Sequence, residues 1–179
     1  MSPAPPELPF PLLGLDAMVF IYHFDQEPLF GPLASDLLAA AEERRRCQLV
    51  TSTVALLELL VGPKRRGREE LCEEYRSFLQ SLSSLAVEPV TQEVAELGAG
   101  LRARYNIATP DSIHVATALA SDADAFVSED GRLKRIVEIP VLSLAEALGR
   151  VGELGSGEVH EPPAHYGARR ARRRSLRAG

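Results

Sequence analysis

This chain has no long apolar run. None of its stretches offers the roughly 18 consecutive apolar residues that a membrane-spanning helix needs, so no span is expected. Its start, MSPAPPELPFPLL, has no basic cluster and is broken by prolines, which does not read as a secretion signal. Cysteine is scarce. Cys47 and Cys72 have neither metal-type spacing nor a partner motif, so free thiols in a reducing, cytoplasmic setting are expected. No internal repeat and no second apolar core is visible in 179 residues, which suits one domain with tails.

Acids are absent from residues 167–179, where Arg169, Arg170, Arg172, Arg173, Arg174 and Arg177 cluster. The formal net charge of −5 therefore combines a basic tail with a body more acidic than that figure. Such asymmetry fits a polyanionic partner, or equally a solvated terminus with no partner.

Hydrophobic residues make up 45% of the chain, enough to bury a core. Residues 1–11 are proline-rich and expected to be disordered, residues 12–148 to fold, and residues 149–179 to form a flexible arginine-rich tail. Short apolar runs predict strands at LLGLDA (12–17), QLVTS (48–52), LAVEPV (85–90), AFVSED (125–130) and 140–143. Helical segments separate them. One follows the first strand. Others cover 33–45, a leucine-rich stretch after Ser52 stopped by Gly62-Pro63, 69–82, 93–105, 109–120, 132–137 and 144–148. Lys64, Arg65, Arg66 and Arg68 are expected in a loop, and Val94, Leu97 and Leu101 to face inward. Strands alternating with helices give an α/β class with a mostly parallel sheet of about five strands.

In such sheets function gathers where strands end and helices begin. Asp16 closes the first strand and Asp130 the strand AFVSED. Asp111 lies in the first turn of TPDSIHVATALA, where Thr109 is a candidate N-cap and Pro110 suits the first helical turn. Glu58 sits mid-helix among leucines, a costly place to bury a carboxylate without a cation or donor. Each acid also has an ordinary reading. Asp111 stabilises a helix N-terminus, Asp16 is a turn acid, Asp130-Gly131 is a turn dipeptide and Glu58 faces solvent. Read jointly, carboxylates without Cys or His ligands suit a hard ion such as Mg²⁺ or Mn²⁺. Without it they would repel one another and raise some of their pKa values. His114 shares a helix face with Asp111. It reads as a packed helix histidine, or as a group that positions a substrate phosphate. Ser112 and Ser128 read as partners of the acids or as local caps.

Four segments, LDAMVFIY, TSTVALLELLVGP, TPDSIHVATALA and AFVSEDGRLKRI, resemble in order and spacing the motifs of the PIN domain. The nearest subgroup is the VapC-like ribonuclease toxins of type II toxin–antitoxin pairs, and the likeness spans about Leu12 to Leu148. It implies a three-layer α/β/α PIN-like sandwich. It places the four family acids on Asp16, Glu58, Asp111 and Asp130, which together would bind the metal; Asp16, Asp111 and Asp130 are the expected direct or water-mediated ligands, and Glu58 either ligates or orients the attacking water. It implies Mg²⁺- or Mn²⁺-dependent cleavage of RNA, a homodimer and a cognate antitoxin. Ser128 matches a hydroxyl common near such sites. One departure stands out: Glu129 precedes the fourth acid, where the family often has Asn. Adjacent strand residues face opposite ways, so Asp130 is the expected ligand and Glu129 a supporting residue.

The acidic body alone would repel RNA, so Arg65, Arg66, Arg68, Arg169, Arg170, Arg172, Arg173 and Arg174 are candidate phosphate contacts. Two other readings compete. One is a non-catalytic PIN-like binding or assembly module. The other is a phosphoryl-transfer receiver using Lys134, disfavoured because Glu58 lies in a helix far from Asp16 in sequence.

Overall fold

The computed structural model describes residues 8–44 and 47–150. Its strands are β1 (Leu12–Leu15), β2 (Gln48–Ser52), β3 (Leu85–Glu88), β4 (Ala125–Val127) and β5 (Val141–Leu142). They form one five-stranded sheet in the order β3-β2-β1-β4-β5, with every pairing parallel. The helices are α1 (Ala17–Asp25), α2 (Gly31–Arg44), α3 (Thr53–Arg65), α4 (Glu69–Ser81), α5 (Gln92–Tyr105), α6 (Thr109–Ala120) and α7 (Leu144–Ala147). The α/β class and strand count agree with the sequence, and the sheet is wholly parallel.

Both sheet faces are covered, as parallel sheets require. Leu13, Leu15, Ala125 and Val127 point into one core with α1, α2, α7 and the inner sides of α3 and α4. Phe126 points the other way, onto Val94 and Leu101 of α5, Val115 and Ala118 of α6, and Leu133 and Ile139. This alternation is the two-residue period of a strand. It yields three layers in one body. Within the expected disordered N-terminus, Leu8 and Phe10 are half-buried against the first core, and the Pro11 carbonyl accepts from the Gln48 amide at 2.7 Å. Residues 1–7 and the tail from 151 on lie outside the described residues.

The strand order places a switch point at β1. From β1 the chain moves outward to β2 and β3, then returns across the sheet to β4 and β5 on the other side. Successive connections therefore diverge beside the carboxyl end of β1, where open α/β sheets form a crevice. Its register is fixed by Leu13 opposite Leu49 and Ala125, and by Gly14 opposite Val50 and Phe126.

Several local expectations change. Gly62-Pro63 does not stop α3, which runs on to Arg65. An interior proline gives up one backbone hydrogen bond, but Pro63 is buried and its carbonyl accepts from Arg66 and Arg68 at 3.0 Å each. Lys64 and Arg65 therefore lie on a helix rather than a loop. The N-cap of α6 is Ala108, with no side-chain cap, and Thr109 is already helical, its hydroxyl bonded to Arg102. AFVSED pairs as a strand only to Val127, and a 3₁₀ turn at Gly131–Arg135 replaces the helix expected at 132–137. Leu97 is 38% exposed, so α5 faces inward through Val94 and Leu101 without it.

Candidate active site

The crevice beside β1 collects acids from four parts of the chain. Asp16 follows β1 directly. Its amide donates to Val127 O at 3.1 Å, extending the ladder by one residue, and its carboxylate caps α1 through the Met18 amide. It is only 6% exposed. Ser128, just past β4, donates its hydroxyl to Asp16 Oδ2 at 2.7 Å. The same oxygen, Ser128 Oγ, accepts from the Asp130 amide at 3.1 Å. One serine thus ties the loop after β4 to the acid after β1.

Asp111 is held in the first turn of α6, whose floor, Val115, Ala116 and Ala118, is pressed on the sheet. Burial raises its pKa first, and the charges of Asp16, Asp130 and Glu58 raise it further, with Arg132 opposing, to about 6. Burial likewise raises Asp16, and Glu58 adds to the rise. The acids from β1, α3, α6 and the loop after β4 are therefore close enough to feel one another's charge.

The sequence model of the PIN domain matches residues 14–139. The chain belongs to the PIN domain family. Comparison with curated proteins finds none that matches. Among solved structures it is similar to VapBC2 from Rickettsia felis bound to a promoter DNA fragment, at 18% identity and a TM-score of 0.60, covering 74% of this chain and 98% of that one. A toxin–antitoxin complex from Klebsiella pneumoniae shares 22% identity, with a TM-score of 0.55 and coverage of 74% and 97%. FitAcB from Neisseria gonorrhoeae shares 19%, with a TM-score of 0.54 and the same coverage. At these identities the likeness establishes the fold.

In this PIN domain the two adjacent acids Glu129 and Asp130 separate. Glu129 Oε1 accepts from the Leu144 amide at 2.7 Å, which turns the carboxylate toward the start of α7. Burial raises its pKa, against that hydrogen bond. Asp130 caps the 3₁₀ turn through the Arg132 amide at 3.0 Å and forms an ion pair with the Arg132 guanidinium. The phenol of buried Tyr22 has its pKa raised by burial, then by Glu129 and Asp16.

His114 is buried in the PIN core, but its bonds are specific. Nδ1 lies 3.1 Å from Ser52 Oγ and Nε2 lies 3.0 Å from Glu58 Oε2. Both ring nitrogens are engaged by protein side chains. Its pKa is lowered by burial and raised by Glu58, Asp16 and Asp111, with a net rise. Glu58 is drawn inward by this bond and its side chain keeps only 9% exposure. Ser112 bonds its own helix, donating to Thr109 O at 2.8 Å, and so is a local cap. Arg65, Arg66 and Arg68 are exposed, and Arg65 lies two turns from Glu58 on the same face of α3, about 10 Å away along the axis. Arg169, Arg170, Arg172, Arg173 and Arg174 lie outside the described residues. Ser52 is a further residue of this site, which the sequence reading did not single out. Its place at the carboxyl end of β2 was the available signal.

Among the described residues, no three of His, Cys, Asp and Glu are gathered tightly enough to hold one metal ion. The donor chemistry still fits a hard cation. All four acids offer oxygen, and the charges of Asp16, Asp130 and Glu58, which add to the burial that raises Asp111, are ones that a cation would offset. Asp130, paired with Arg132, is the member that would have to change partner. Among the described residues no helix is long and apolar enough to cross a membrane.

Proposed function

We propose that this PIN domain protein is a divalent-metal-dependent endoribonuclease that hydrolyses RNA phosphodiester bonds, and that it is the toxin of a toxin–antitoxin pair. The observation that carries this reading is the gathering of Asp16, Glu58, Asp111 and Asp130 at the switch point beside β1, where Ser128 joins Asp16 to the Asp130 amide. Four carboxylates close enough to add to the burial that raises Asp111 to about 6 make chemical sense at a sheet switch point if a cation joins them.

Asp16, Asp111 and Asp130 would hold Mg²⁺ or Mn²⁺. When bound, the ion supplies charge neutralisation at the phosphoryl oxygens. The chain's own side chains do the remaining work. Ser128 fixes the direction of Asp16. Glu58, at the rim and held by His114, accepts a proton from the attacking water or completes the ligand set. Arg65, Arg66 and Arg68, with the tail arginines, bring RNA to an otherwise acidic body through phosphate contacts. No protein nucleophile is required.

The partner is proposed from the neighbours. The similar structures are described as VapBC and FitAB assemblies and as a toxin–antitoxin complex, so a cognate antitoxin, with a second copy of this chain, is the partner we assign. The deciding experiment is cleavage of single-stranded RNA with Mg²⁺, Mn²⁺ or EDTA. Asp111→Asn and Asp130→Asn should lose at least 100-fold in rate, whereas Glu129→Gln, whose carboxylate faces Leu144, should stay within a few-fold of wild type. Equal metal-dependent cleavage by wild type and Asp111→Asn would sink the enzyme reading in favour of a binding or assembly module.

A further inference from the structure

We infer that Ser52, acting through His114, is the positioning device that aims the Glu58 carboxylate into the acid site, an inference resting on the nuclease reading above. Three hydrogen bonds in series make the connection. The Val54 amide donates to Ser52 Oγ at 3.1 Å, which uses the hydroxyl oxygen as an acceptor. The Ser52 proton is then available for His114 Nδ1, 3.1 Å away. A carboxylate only accepts, so the 3.0 Å contact to Glu58 Oε2 requires a hydrogen on His114 Nε2. The Glu58 carboxylate thus selects the Nε2–H tautomer of neutral His114, and Ser52, anchored by the backbone of α3, donates to the Nδ1 left as acceptor.

Every fixed point of this chain is rigid. Ser52 is fully buried at the end of β2, and His114 is 2% exposed in α6. Glu58 by contrast has several rotatable bonds and stands next to Leu57, which is 61% exposed. Without a donor on the inner side, its carboxylate would gain water by swinging outward with its neighbour. The bond to His114 holds it instead on the side where it shares its field with Asp16 and Asp111. The loop also closes on itself. The serine that begins α3 reaches through α6 to a side chain two turns into α3, so the two helices fix the same carboxylate from both sides.

The test combines metal-free and functional measurements on the full chain. Nitrogen-15 NMR of the metal-free protein, at a pH where His114 is neutral, should show Nε2 protonated and Nδ1 not. His114→Phe and Ser52→Ala should lower Mn²⁺ affinity, read by electron paramagnetic resonance, by about 10–100-fold, with a similar loss in kcat and little change in KM for RNA. His114→Gln, whose amide can donate to Glu58, and Ser52→Thr, which keeps the hydroxyl, should recover most of both. A wild-type Nδ1–H tautomer, or His114→Phe with wild-type Mn²⁺ affinity and kcat, would overturn the positioning role. So would His114→Gln as impaired as His114→Phe. A wild-type protein with the expected tautomer that neither binds Mn²⁺ nor cuts RNA would overturn the nuclease reading alone.

Discussion

Gly14 in β1 and Ala118 in α6 touch so closely that a Cβ on Gly14 would stand 2.4 Å from the Cβ of Ala118. Phe126 would be 3.0 Å from the same atom. Real Cβ atoms do not approach this way, so α6 rests on the strand because residue 14 has no side chain. That contact sets the height of Asp111 and His114 above the carboxyl end of β1. Gly14→Ala should therefore destabilise by roughly 1–3 kcal/mol as an overpacking change, measured by urea unfolding. Adding Ala118→Gly should recover part of the loss although glycine is itself unfavourable in a helix by about 1 kcal/mol. Purely additive losses would mean that the two residues do not compete for one space.

The acid site should make the metal-free protein less stable as pH rises. Asp111 moves from an ordinary 3.8 to about 6, so its folded form binds a proton more tightly than its unfolded form. Its contribution is fully present below about 3.8 and is lost as pH climbs through 6. A shift of this size corresponds to roughly 3 kcal/mol at neutral pH. His114, raised from 6.5, adds to the same trend at higher pH. Asp111→Asn should therefore raise the metal-free Tm at pH 7.5 and flatten its pH dependence between 4 and 7. Mg²⁺ should raise the wild-type Tm and leave the variant nearly unmoved. A metal-free wild type that gains stability from pH 5 to 7 would contradict this account.

Ser128 is expected to matter beyond its size. Its hydroxyl donates to Asp16 and accepts from the Asp130 amide, and Asp16 is nearly fully buried. Ser128→Ala removes a charge-assisted bond worth about 1.5–3 kcal/mol. RNA cleavage should fall about 10–100-fold, with Ser128→Thr close to wild type. Loss of activity in both variants alike would show that shape rather than the hydroxyl is at stake.

The arginine tail supplies a salt test. Removing residues 151–179 spares Arg150, which pairs with Asp36 at 2.7 Å. RNA affinity should fall, and the slope of log affinity against log salt should become shallower by about 0.7 for each phosphate of a single strand that the tail no longer neutralises. Unchanged affinity at every salt concentration would dismiss the tail as an RNA arm. Faster cleavage on truncation would identify it as a brake on the acids.

Much of the fold was legible because it is written in local pattern. The strand runs, the helical periods and the acids at strand ends need only neighbours in sequence, and the four motifs added the family. Boundaries were less legible where distant contacts override local preference. Pro63 stays helical because it is buried and its carbonyl finds two amides.

The sequence by itself determined that Asp16, Asp111 and Asp130 stand at the ends or beginnings of elements in a parallel α/β domain, with Glu58 mid-helix among leucines. Only the tertiary structure decided what each one faces. The Glu129 carboxylate is turned toward the start of α7 by the Leu144 amide, whereas the charge of Asp130 acts on Asp111. His114 bonds Glu58 because α6 is laid across β1 by a glycine and brought beside α3. Periodicity records which side of a helix is apolar, but not which helix comes to lie against it. That depends on the strand order, and the strand order is a property of the whole chain.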